Sequence, residues 1–278
     1  MSLDPSLVGL RTDARELEYD FRTVVLYALG IGAKRDELDF LYEGRGPKVF
    51  PTFAVVPAYA PVLELLGRTG GDLAQLVHGA QTITVERPIP PSGKFQTVAT
   101  IAGIYDMKRL AQVVCKTEST VGGSVVCRTE WQLLFRGEGG FGGPPPPKAQ
   151  APRAEDGQTP AFSFEERTSD EQALLYRLSG DLNPLHADPE FARGVGFEQG
   201  PILHGLATYG FIARAVIKNA CGGDASRLKS LTAQFRKPVW PGESLRTVGF
   251  SVGKHVVVKA YAGGRDDAAV TGCYAEID

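Results

Sequence analysis

Asp181, Asn183 and His186 lie on one short stretch, Asp181-Leu182-Asn183-Pro184-Leu185-His186, and the pair His204-Gly205 follows soon after it. A carboxylate and an imidazole have ordinary pKa values below or near neutrality, so together they can share a proton with a bound water. An amide both donates and accepts, which lets Asn183 orient that water. Gly205 falls near the start of an expected helix, where the first four N–H groups lack partners and the helix dipole places about half a positive charge. Glycine has no side chain to keep a ligand oxygen away, so this corner can stabilise an oxyanion. The set reads as addition or removal of water next to a carbonyl.

The surrounding residues say how such a set is presented. Ser169-Asp170-Glu171-Gln172 has the pattern of a capping box. Leu174, Leu175 and Leu178 then predict a short helix with Gly180 as its stop. Pro184 pushes Asn183 off helical geometry, so 181–186 is expected to be a rigid loop. Asp188-Pro189 restarts a helix, with Asp as cap and Pro at the first position. After Gly200-Pro201, the segment 202–218 reads as a buried central helix. Strand patterns follow near 229–236, 245–253, 255–262 and 268–277. A long apolar helix followed by antiparallel strands predicts an α+β architecture, a sheet wrapped around a helix.

The same order occurs earlier, with strands expected near 80–88, 94–105, 110–119 and 124–136. Leu26-Tyr27-Ala28-Leu29-Gly30 echoes Leu175-Tyr176-Arg177-Leu178-Ser179, and Arg87-Pro88-Ile89-Pro90-Pro91 echoes Lys237-Pro238-Val239-Trp240-Pro241. Tyr27 and Pro51 are 24 positions apart, Tyr176 and Pro201 25; Pro51 to Pro88 and Pro201 to Pro238 are both 37. Matched landmarks in order point to duplication. Between the copies, Gly139-Gly140-Phe141-Gly142-Gly143 and four prolines form a linker, part flexible and part extended. The expected domains are therefore 1–138, a linker over 139–159, and 160–278. In the aligned copies Asp181 meets Gly32, Asn183 meets Lys34 and His186 meets Glu37. One working site is expected, in the second half, with the first half supplying scaffold and a binding surface.

Composition narrows the partners. The formal net charge of −2 over 278 residues gives no global attraction to nucleic acid or an anionic membrane. No window approaches the ~18 apolar residues of a spanning helix. Four scattered cysteines with no CxxC pair offer neither a metal cluster nor a disulfide framework, which favours a reducing compartment. Asp181, His186 and His204 are metal-ligand types, but their spacing matches no metal motif, and no metal is expected. His204 reads first as a structural residue of the helix and second as a substrate contact. The chain does not end in Ser-Lys-Leu, which favours a cytoplasmic setting over a peroxisomal one.

The stretch from Tyr176 to His186, with Pro201-Ile202-Leu203-His204-Gly205-Leu206, resembles the signature of the MaoC-like (R)-specific enoyl-CoA hydratase 2 family. The likeness extends to Phe50-Pro51-Thr52-Phe53, Leu76-Val77-His78-Gly79, Pro88-Ile89-Pro90-Pro91-Ser92-Gly93 and 137–143. It covers nearly the whole chain and includes the hydratase 2 domain of peroxisomal multifunctional enzymes. The resemblance implies a double hot-dog fold and a homodimer. It implies reversible hydration of trans-2-enoyl-CoA to (R)-3-hydroxyacyl-CoA, with no metal or organic cofactor, CoA being part of the substrate. Carried over by motif, Asp181 and His186 are the catalytic dyad, Asn183 assists the water, and the N–H of Gly205 receives the thioester oxygen. The family's degenerate first half accommodates bulky acyl chains. Arg236 and Lys237 are candidate partners of the CoA phosphates. One departure is that the loop 197–201 is a residue longer than the family's.

Two other readings remain at this point. One is a 3-hydroxyacyl dehydratase acting on acyl-carrier-protein substrates. The other is a non-catalytic acyl-CoA-binding hot-dog protein, which would not need the acid–base set.

Overall fold

A computed structural model describes residues 3–148 and 150–278. The first half runs β1 (Arg15–Tyr19), α1 (Phe21–Gly30), α2 (Leu38–Leu41), α3 (Val55–Arg68), β2 (Leu76–Val85), β3 (Gly93–Asp106), β4 (Leu110–Val121) and β5 (Ser124–Arg136). The second half runs β6 (Phe162–Arg167), α4 (Gln172–Tyr176), α5 (Pro189–Gly194), α6 (Gly205–Ala220), β7 (Leu228–Phe235), β8 (Ser244–Val252), β9 (His255–Ala262) and β10 (Val270–Ile277). All strands join one antiparallel sheet in the order β1-β3-β4-β5-β2-β7-β10-β9-β8-β6.

That order is the same five-strand unit twice, back to back. The halves meet where β2 pairs with β7. Thr82 faces Thr232, its own counterpart 150 positions later, and their hydroxyls are hydrogen-bonded at 3.0 Å. The pseudo-twofold axis passes between them. This pairing can only arise if both copies present the same strand edge, so the duplication read from the landmarks is realised in the sheet. Each half wraps its strands around one long helix, α3 or α6, and is a hot-dog unit. One continuous core forms between sheet and helices, with Phe53, Leu65, Phe95, Phe135, Tyr209 and Phe211 among its buried side chains.

Several expectations need correction. The central helix of the second half starts at Gly205, not at Ile202, and runs to Ala220. Residues 202–204 are apolar but have other partners. The Ile202 N–H donates to the Leu185 carbonyl (3.4 Å) and the Leu203 N–H to the Val239 carbonyl (2.7 Å). His204 sits at φ −56°, ψ 136°, which is extended backbone. Only half of the expected capping box forms, the Ser169 N–H donating to Gln172 Oε1. Gln172 Nε2 reaches instead across the halves, to the carbonyls of Leu29 (2.9 Å) and Gly30 (2.7 Å). The edge strands β1 and β6 lie outside the expected set, although Phe162 and Phe164 alternate with polar residues.

The Gly/Pro segment is held down more than its composition suggests. The Asp106 carboxylate accepts the N–H groups of Gly140 (2.9 Å) and Gly142 (2.8 Å). Gln158 donates to the Ser251 carbonyl (2.9 Å), and Phe141 packs against the core. Among the described residues no helix is long and apolar enough to cross a membrane.

Candidate active site

The loop that carries Asp181 is fixed by local chemistry. After α4, one 3-10 turn (Arg177–Ser179) ends at Gly180, whose φ of +124° few other residues adopt. Asn183 takes the extended backbone that Pro184 demands, φ −53° and ψ 127°. Its side-chain oxygen accepts from the Leu185 N–H (3.0 Å) and caps the 3-10 turn Pro184–His186. The acceptor of Asn183 is thus committed to the loop, and its NH2 group remains to orient a water. Asp188 then caps α5 through the N–H groups of Glu190 and Phe191.

His186 is 8% exposed. Its Nδ1 lies 2.8 Å from the carbonyl of Ile202. A carbonyl can only accept, so Nδ1 carries the proton and Nε2 presents a lone pair. Burial pulls the His186 pKa below its ordinary value, against the raising effect of Asp181. The ring is therefore neutral near pH 7 and can take a proton. The Asp181 carboxylate receives the Tyr59 hydroxyl at 2.7 Å and the Asn183 N–H at 3.2 Å, both on Oδ1.

His204 is 1% exposed, the residue just before α6. It stacks on His186 with ring centroids 3.6 Å apart and leans on Tyr176. Its Nε2 donates to the Asp181 backbone carbonyl (3.1 Å). Burial, then the neighbouring His186, pulls its pKa down to about 3. His204 thus sits behind the dyad and braces both members, offering almost no surface to a ligand.

One ligand-type atom from each of Asp181, His186 and His204 lies within 4.8 Å of the others. That span is bridged by one water making two ordinary hydrogen bonds. An ion fits less well. Zinc lies in the plane of each imidazole at about 2 Å from nitrogen. Two rings stacked at 3.6 Å and inclined by only 25° do not bring their planes together at such a point.

Gly205 is the first residue of α6, so its N–H has no acceptor one turn back. Its backbone does not require glycine. A Cβ placed there would meet Phe235 Cδ1 at 3.4 Å, an ordinary contact, with no positive φ. What glycine leaves out is a methyl group beside that N–H, in the gap next to Phe235.

Around this corner the two halves build an aromatic wall that motif reading missed. His78 lies flat against Trp131 (5.1 Å) and edge-on to Phe235 (5.0 Å), and Tyr59 leans on Trp131. Burial pulls the His78 pKa down to about 4. Only the partnership of α3, β2, β5 and β7 assembles these residues, so no local spacing could announce them. His186 also borders a cavity of about 330 Å³, with Leu174, Gln199, Pro201, Trp240 and Pro241. Arg236 and Lys237, the candidate phosphate partners, are exposed beyond the end of β7 and do not line it. Arg236 bonds Thr271 Oγ1 (3.0 Å), and Lys237 lies 3.7 Å from Asp267.

Residues 17–137 match the family profile described as the MFE-2 hydratase 2 N-terminal domain, and residues 152–270 that of the MaoC like domain. The chain is 39% identical over 259 residues to the 3-hydroxyacyl-thioester dehydratase Y of Mycobacterium tuberculosis, covering 89% of this chain and 87% of that protein. It is 37% identical over 276 residues to the peroxisomal enoyl-CoA hydratase 2 of Arabidopsis thaliana, covering 91% and 89%. The crystal structure of a MaoC-like dehydratase from Phytophthora capsici superimposes with a TM-score of 0.89 at 29% identity, over 100% of this chain and 98% of that one. Likeness at this level along both copies of the repeat places the chain in the hydratase 2 branch of the MaoC-like family.

Proposed function

We propose that the chain is an (R)-specific 2-enoyl-CoA hydratase, a hydro-lyase that adds water reversibly to trans-2-enoyl-CoA to give (R)-3-hydroxyacyl-CoA in fatty-acid β-oxidation or related acyl-CoA metabolism. One observation carries the reading. A neutral imidazole with a free lone pair, a carboxylate within one water's span of it, and an open helix-start N–H stand at one corner. Its chemistry follows from their types. His186 Nε2 takes a proton from water while the oxygen bonds to C3 of the enoyl group. The C2–C3 π pair moves toward the thioester oxygen, which the Gly205 N–H stabilises. The proton then passes to C2, and the site returns to its starting state. Asp181 holds the water's other hydrogen, and Asn183 helps to orient it.

These roles use protein groups alone, so neither metal nor organic cofactor enters the proposal. The aromatic wall suits an apolar acyl group, and exposed Arg236 and Lys237 are available to CoA phosphates. Leu174, Leu178 and Leu182, beside the site, are 50%, 58% and 59% exposed; apolar surface of this kind supports a homodimer. Four buried, unpaired cysteines support a reducing cytoplasmic setting, with the peroxisome of the Arabidopsis relative as the alternative. The test is hydration of crotonyl-CoA and trans-2-decenoyl-CoA, followed as loss of enoyl-thioester absorbance with the product's chirality assigned. (R)-3-hydroxyacyl-CoA is expected. An (S) product, or turnover only with carrier-protein thioesters, would overturn the assignment.

A further inference from the structure

Tyr59 lies on α3, in the half without the dyad and 122 positions before Asp181. Its hydroxyl nevertheless donates to Asp181 Oδ1 at 2.7 Å, the length of a charge-assisted hydrogen bond. The Asn183 N–H donates to the same oxygen at 3.2 Å. Two donors on Oδ1 leave Oδ2 as the oxygen free to meet water. We propose that Tyr59 is a positioning residue for Asp181, a part of the site supplied by the first half: it fixes the carboxylate's rotation and so aims Oδ2 at the water. The inference rests on the hydratase reading above.

Three observations support it beyond the contact. The carboxylate torsion is intrinsically broad, so a side chain on a short loop needs an outside partner to hold one orientation. Tyr59 is itself held, its ring leaning on Trp131 at 6.3 Å. Its phenol is kept protonated, because burial and the Asp181 charge push its pKa well above the ordinary value. The repeat supplies an internal contrast. The counterpart of Tyr59, Tyr209 on α6, is fully buried and spends its hydroxyl on the Leu231 backbone carbonyl. The same helix position ties a helix to its own strand in one half and reaches the site of the other half from the first.

The test is Tyr59→Phe, which keeps the ring and removes the donor. Losing a hydrogen bond to a charged group predicts a fall in kcat of roughly 10-fold, with KM within about twofold. The melting temperature should hardly change. In an Asp181→Asn background the same substitution should cost nothing further, because its effect runs through that carboxylate. An unchanged kcat, or a loss that simply adds to that of Asp181→Asn, would show that Tyr59 only packs. A wild type that turns over neither enoyl-CoA would sink the hydratase reading, and this inference with it.

Discussion

In the second half the chain runs extended through Leu203 and starts α6 abruptly at Gly205; in the first half a 3-10 turn, Pro51–Ala54, runs straight into α3 at Val55. The consequence is chemical. The N–H of Val55 is bonded back to the Thr52 carbonyl, whereas that of Gly205 is left open. The dyad positions diverge as well. Gly32, opposite Asp181, has φ +82°, and a Cβ there would lie 2.3 Å from the Phe211 ring. Glu37, opposite His186, pairs with Arg214 of α6, which also bonds Glu166 at 3.0 Å. Glu37 Oε2 accepts the Lys34 N–H too. The positions that hold acid–base groups in one copy have become a clasp between the halves in the other. Duplication supplied two equivalent corners, and one copy of the chemistry released the other for assembly and, through Tyr59, for positioning.

The strongest way to break this comparison is to exchange the expected phenotypes. Asp181→Asn or His186→Ala should cut turnover by about 10²-fold or more with little loss of stability. Glu37→Gln should do the reverse. It strips one partner from a buried guanidinium and should cost about 3 kcal/mol in a denaturant titration, at the low end because Glu166 remains, while kcat stays near that of wild type. A large kcat loss in Glu37→Gln would mean that the first-half corner still takes part in chemistry.

A smaller effect sharpens the contrast of helix starts. Gly205→Ala meets only ordinary contact with Phe235, so its melting temperature should stay within a few degrees of wild type. Its methyl group should crowd the thioester oxygen and lower kcat roughly 10-fold or more. Val55→Gly should not affect kcat. Equal kinetics for Gly205→Ala and wild type would remove the open N–H from the mechanism.

Acid sensitivity is the property that both halves should share. His78 in the first and His204 in the second have folded pKa values of about 4 and about 3, both lowered chiefly by burial. Unfolded histidine binds its proton near 6.5. Between these limits the unfolded state holds more protons, so stability is complete above pH 6.5 and falls as pH drops below it, by up to about 1.4 kcal/mol per unit for each group. Urea midpoints at pH 7 and pH 5 should therefore differ, and less so in His78→Asn. A flat midpoint over that window would mean that the two rings are solvated.

The residues show how much was legible in advance. The dyad loop could be read because it is local: proline, an Asx cap and a glycine stop shape 180–188 within nine residues. Strands 124–136 and 255–262 matched to the residue, since alternation and turn glycines mark both ends. Ile202 and Leu203 have helical composition but find their hydrogen bonds on Leu185 and Val239, so α6 starts later than its pattern predicts. His204 stands just outside the helix for the same reason. Tyr59 and Trp131 carry no local sign of the site they border, and His78 has only its place in the Leu76–Gly79 likeness, which gives it no role.

The amino-acid sequence by itself determined which residue types stand together at the dyad, that the chain is two copies of one unit, and that only the second copy keeps the acid–base set. Those are properties of neighbours in the chain and of matched landmarks. The tertiary structure alone decided that β2 pairs with β7 about Thr82 and Thr232, that α6 opens at Gly205, and that Tyr59 reaches Asp181 from the other half. These depend on sheet register and on partners outside the local segment, from Leu185 and Val239 beside α6 to residues more than a hundred positions away across the halves, where the free energy of pairing is shared over the whole interface and leaves no mark on any one segment.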